Sequence, residues 1–181
     1  FTALVERAPK NAVAWSDLGF ARFFAKDYKG ALAAFDQAIG LNPSYAKAHY
    51  SRGFAQLMSA RVTDPADSLS ASIRLSPLDP LMGPMLSNLG TARLAAGKLA
   101  EAAELAARGA RRAPNHSILV MLAAATAMLV DDAAAAAHWR TVALERRPDA
   151  SVDLFRQAVR YGDPRLEDTV CRAMRQAGFP E

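Results

Sequence analysis

The sequence lacks most of what catalytic, secreted and membrane-spanning chains depend on. It has a single cysteine, Cys171, so no disulfide can form within the chain and a reducing, cytoplasmic setting is expected. No signal-peptide pattern opens it. Its longest apolar run, Ser117 to Val130, falls short of the roughly 20 residues a bilayer span requires, so no membrane partner is expected. The three histidines, His49, His116 and His138, have no metal-ligand spacing with one another, with Cys171 or with a close carboxylate pair. No glycine-rich phosphate loop is present. Ser44-x-x-Lys47 copies a serine-nucleophile pattern, but Ser44 directly follows Pro43 and reads as a helix cap. Cys171 has no basic neighbour that would clearly activate it. Together these absences argue against an enzyme and against any metal or cofactor.

Charge of one sign is also missing as a surface signal. The formal charge is +4, with 22 basic and 18 acidic residues. The arginines come in local groups, Arg108, Arg111 and Arg112, then Arg146 and Arg147. These groups fall in the last turns of predicted helices, where cations complement the helix dipole. A nucleic-acid surface would need a continuous basic stripe with stacking aromatics, so no nucleic-acid partner is expected. What the chain does have is apolar content: 51% of residues are hydrophobic. Alanine is abundant and β-branched residues are sparse, which favours closely approaching helices. The expected class is all-α.

The prolines reveal an internal period. Pro9, Pro43, Pro77, Pro114 and Pro148 stand 34, 34, 37 and 34 residues apart. Each ends a helical apolar pattern, because proline cannot continue a helix and restricts the residue before it. Between stops lie two helical patterns. In the first full unit the leading pattern carries Trp15, Leu18 and Gly19, and the trailing one Ala31, Phe35 and Ala38. Gly19 and Ala31 are small where the helices should cross, and Trp15 and Phe35 fill the gaps. Lys26-Asp27 and Gly97-Lys98 read as the turns inside their units, and Asp131-Asp132 as the cap of the fourth unit's second helix. Pro65 stands where a small alanine is expected, so Asp64-Pro65 predicts a late-starting helix.

These features resemble the tetratricopeptide repeat: Trp15-x-x-Leu18-Gly19, Ala31-x-x-x-Phe35 and Pro43 match its signature, with Arg22 where a tyrosine is usual. The resemblance implies a right-handed superhelix of antiparallel helix pairs, an α-solenoid in one array. Its expected parts are residues 1–10 (the end of a preceding repeat), repeats at 12–45, 46–79, 83–116 and 117–150, and capping helices over 151–181. Phe1 corresponds to Phe35 one period back, so the chain is expected to begin inside a repeat of a longer protein. Ser151 to Tyr161 is expected as one capping helix, and a shorter one from Pro164 closes the array. Three strings, Ile73-Arg74-Leu75-Ser76-Pro77-Leu78-Asp79-Pro80, Gly162-Asp163-Pro164-Arg165-Leu166 and Ala177-Gly178-Phe179-Pro180-Glu181, look like the C-terminal repeat regions of bacterial signalling proteins. Those proteins join such a region to an adenylate/guanylate cyclase-like domain or to a winged-helix transcriptional-regulator domain. The implied function is a protein–protein interaction or scaffold module in the regulatory part of such a protein. The alternatives are the regulatory arm of a nucleotide cyclase or the effector arm of a DNA-binding regulator.

One candidate site follows from the family's concave face, which the leading helices line. Off the core stripe these helices carry Ser16, Phe20 and Phe23; Lys47, Tyr50, Phe54 and Met58; Ser87, Asn88 and Thr91; and Met121, Ala125 and Met128. Rings and thioethers at helical spacing suit a partner helix or peptide, although the same pattern also describes packing within the array. The lysine–asparagine clamp that some family members use for a terminal carboxylate is hinted at only by Lys47 and Asn88. Self-association through an open N-terminal edge bearing Phe1 and Leu4 is a further expectation.

Overall fold

The computed structural model describes residues 1–59 and 64–181. Every regular element among them is an α-helix. The chain divides into two compact units, Phe1–Asp79 and Pro80–Glu181. The first holds α1 (Thr2–Arg7), α2 (Ala12–Phe24), α3 (Tyr28–Leu41), α4 (Ala46–Met58) and α5 (Ala66–Leu75). The second holds α6 (Met82–Ala95), α7 (Leu99–Arg112), α8 (Ser117–Met128), α9 (Ala133–Arg146), α10 (Val152–Ala158) and α11 (Pro164–Gln176).

The turns inside the helix pairs share one construction. Lys26, Gly97 and Asp131 are left-handed, with φ of 62°, 73° and 58°. In each, the next N–H reaches back to a carbonyl of the preceding helix: Asp27 to Arg22, Lys98 to Arg93, Asp132 to Ala127. This closes the last helical turn and satisfies carbonyls that the helix leaves free. Asp27 and Asp132 then cap the next helix, accepting from the N–H of Gly30 and of Ala135, each at 2.9 Å. The turn at register position 60 lies outside the described residues.

Between pairs, rings hold the connections. The Trp15 indole N–H donates to the Pro9 carbonyl at 2.8 Å, and one period later a ring nitrogen of His49 bonds the Pro43 carbonyl at 2.9 Å. His49 is thus a structural histidine. Arg22, in place of the usual tyrosine, donates to the Gly30 carbonyl and ties α2 to α3. Ser44 does not cap α4. Its own N–H donates to the Asn42 side chain, because the chain is still turning there. Asp64 accepts from the Ala66 N–H at 2.9 Å, and α5 has only 10 residues, as the Asp64-Pro65 pair predicts.

Packing follows the small residues. A methyl group on Gly90 would stand 3.1 Å from the Ala102 carbonyl and 3.2 Å from the Ala106 nitrogen, so backbone meets backbone where α6 crosses α7. At Gly19 the obstacle is the ring of Phe35, itself fully buried. In the second unit α8 packs against α6, α7, α9, α10 and α11 and is buried from Leu119 to Ala127. Helix α10 ends at Ala158, three residues before the expected end at Tyr161, because Val159 turns extended. The chain then buries Tyr161 beside the Phe155 ring.

Candidate functional site

In the first unit, α2 and α4 pack side by side. Lys47, Tyr50 and Phe54 recur at three- and four-residue steps on α4, so they share one face. Phe20, Phe23 and Phe24 sit in the second half of α2. The structure brings these two sets together. Phe23 lies 5.4 Å from Phe54 between ring centroids, and Phe54 stacks on Tyr50 at 6.2 Å. Phe23 also meets Phe24 and Tyr28 edge-on, each at 5.6 Å. Phe20 stands edge-on to the core ring Phe35 at 5.6 Å. The Lys47 ammonium sits 5.3 Å from the centre of the Phe20 ring and 3.9 Å from the Asp17 carboxylate. The ring face thus has a charged edge, with the lysine held over a ring by its quadrupole. Phe20, Phe23, Tyr50 and Phe54 are half-buried and Phe24 is 77% exposed. The inward edges of Phe20 and Phe23 pack on Ala31, Phe35 and Ala55, and part of each ring remains at the surface.

The remaining expected site residues fare differently. Ser16 and Met121 are fully buried, so neither offers surface to a partner; this corrects their assignment to the groove. Met121 is enclosed because α8 has helices on all sides. The Ser16 hydroxyl is turned inward without a hydrogen-bond partner among the described residues. Met58, Asn88 and Met128 are half-buried, the last two in the second unit. Phe24, Tyr28 and Asp17 join the face without having been anticipated. Phe24 follows Phe23 directly, and a search for one helical stripe passes over an adjacent residue.

The equivalent face of the second unit is built otherwise. Thr91 and Ala125 occupy the register positions of Phe20 and Phe54, and both are buried. Thr91 donates to the Ser87 carbonyl at 3.1 Å. Burial pushes the Tyr161 phenol up to about 12, partly offset by the nearby Thr91 hydroxyl. Burial likewise raises the thiol of Cys171 on α11, against the pull of nearby Arg156. Arg156 in turn pairs with Glu167 at 3.4 Å. Among the described residues no group of three histidine, cysteine, aspartate or glutamate side chains could hold a metal, and no helix is long and apolar enough to cross a membrane.

Residues 25–59 match the family model of the TPR repeat. No curated protein matches the chain. Among solved structures it is similar to YrrB, described as a TPR protein with an unusual peptide-binding site, at a TM-score of 0.72 and 15% identity over 97% of this chain and 89% of that one. PilW, a type IV pilus biogenesis factor, aligns at a TM-score of 0.71 and 20% identity over 96% and 80% of the two chains. MamA from Desulfovibrio magneticus RS-1 aligns at 0.70 and 20% over 80% of each. At such identities the likeness is one of fold: all-α, built from helix pairs of the TPR α-solenoid kind.

Proposed function

We propose that this chain is a protein–protein interaction module that takes a partner helix or extended peptide on the ring face of α2 and α4. The observation that carries the reading is the set of half-buried rings of Phe20, Phe23, Tyr50 and Phe54, edged by Lys47 and Asp17. Such rings supply large contact area at low entropic cost and dominate interfaces where they occur. The peptide-binding site named for YrrB supports the same use of the fold. The test is affinity capture with the intact chain against a Tyr50→Ala/Phe54→Ala variant of equal helicity. Partners retained by the first and lost by the second support the reading. An identical set of partners on both overturns it.

The finer setting, the regulatory region of a bacterial signalling protein with a cyclase-like or winged-helix domain, rests on the resemblance of the strings at 73–80, 162–166 and 177–181. Self-association through α1 rests on Phe1 and Leu4, which are 64% and 44% exposed. A strict monomer by light scattering at high concentration would count against it.

A further inference from the structure

The ring face of α2 and α4 accepts one backbone conformation better than any other. Over these positions the main chain of both helices is spent on its own hydrogen bonds, and every regular element among the described residues is a helix, so no strand edge is offered. Apart from the tyrosine hydroxyls, the polar side chains of the face are Lys47 and Asp17, at one edge. An extended segment laid over the rings would strip water from its own N–H and C=O groups and find almost nothing there to bond them. A helix carries those bonds within itself and presents only side chains.

Spacing and charge narrow the partner further. Lys47, Tyr50, Phe54 and Met58 form a stripe over eleven residue steps of α4, about 16 Å or three turns. A helix of that length meets the stripe with apolar residues at three- and four-residue steps. Across residues 12–29 and 46–58, five basic residues stand against two acidic ones, Asp17 and Asp27. Asp27 is engaged as the cap of α3. The Lys47 side chain keeps 49% of its surface exposed and reaches Asp17 only at 3.9 Å. The surroundings of the rings are thus net positive, which complements carboxylates on a partner.

We propose that the partner element is an acidic amphipathic helix of about three turns, apolar along one side and carrying a carboxylate that meets Lys47. The inference rests on the ring face being the binding surface, and it excludes the extended peptide that the face alone leaves open.

The probe is a library of random 16-residue peptides displayed on phage, selected on the intact chain and compared with selection on the Tyr50→Ala/Phe54→Ala variant of equal helicity. The expected winners carry apolar residues at three- and four-residue steps with Asp or Glu beside them. As synthetic peptides they gain helical circular dichroism on binding. A proline at the centre of such a peptide, or lysine in place of its acidic residues, weakens binding tenfold or more. Lys47→Glu weakens the acidic peptide by a similar factor and strengthens binding of the lysine version. Winners with alternating apolar residues or proline-rich runs would keep the ring face as a binding surface and overturn the helix. Helical winners indifferent to Lys47→Glu and to the charge of the peptide would overturn the acidic partner. A library that enriches nothing on the intact chain over the double variant would overturn the ring-face reading itself, and the helix with it.

Discussion

The rings of Phe23 on α2 and Phe54 on α4 meet at 5.4 Å between centroids, inclined at 46°. Both remain half-buried, so the contact joins two helices without closing over. This arrangement separates binding from stability. Phe54→Ala should cost about 1–2 kcal/mol in stability, below the roughly 3–5 kcal/mol typical of a fully buried phenylalanine. Partner affinity should fall by about 2 kcal/mol or more. Phe35→Ala is the control, because Phe35 is 1% exposed and should show the full core cost. Equal drops in melting temperature for the two variants would show that Phe54 is core.

The crossing of α6 and α7 predicts a different kind of loss. Gly90→Ala would place a methyl group against the Ala102 carbonyl and the Ala106 nitrogen, neither of which can rotate away. The helices must separate, at about 1–3 kcal/mol. Denaturant titration should show a lower midpoint. The exposed Gly40, with nothing within 4 Å of an added methyl, should gain from the same substitution.

At the left-handed turns the expected sign reverses. Lys26 and Asp131 are strained there, and Gly97 is not. Lys26→Gly should therefore be neutral to stabilising by up to about 1 kcal/mol, and Gly97→Ala destabilising by at least that much. Thermal melts of the two variants should move in opposite directions or, at the least, differ by that sum.

Tyr161 gives a pH dependence. Its phenol titrates at about 12 in the folded chain against 10.0 for the ordinary group. The folded state therefore holds its proton more tightly than the unfolded state. The associated stability is fully present below pH 10 and is lost as pH rises from 10 to about 12. The loss should be about 2–3 kcal/mol. Tyr161→Phe should flatten that part of the profile. A wild-type stability curve that stays level across this range would mean the phenol is not buried.

The helix pairs were readable in the sequence because their markers act locally. Pro43, Pro77 and Pro114 stop helices by their own covalent geometry, and Gly19 and Phe35 recur at fixed offsets from them. The ring face was readable for the same reason, since Phe20, Tyr50 and Phe54 follow from helical spacing alone. Met121 was misread because its helix, α8, also packs on α10 and α11, which arrive more than 30 residues later. Periodicity shows which residues share a face, and not what returns to cover it. Tyr161 was likewise assigned to a helix, because nothing near it in sequence signals that α10 stops at Ala158. Arg22 departed from the signature yet fulfils a local need, bonding the Gly30 carbonyl across the turn.

The chain contains 2 tryptophans, and they fall one to each unit. Trp15 is bonded through its indole to Pro9, and Trp139 is buried on α9 beside His138. Their fluorescence is therefore divisible. Emission from a Trp139→Phe chain reports on residues 1–79 alone, and emission from Trp15→Phe on residues 80–181. The two signals make the cooperativity between units an optical observable, free of any added label. Coincident unfolding curves would mean that strain applied at one unit is felt as loss of stability in the other; separated curves would allow one unit to melt and re-form while its neighbour holds a partner.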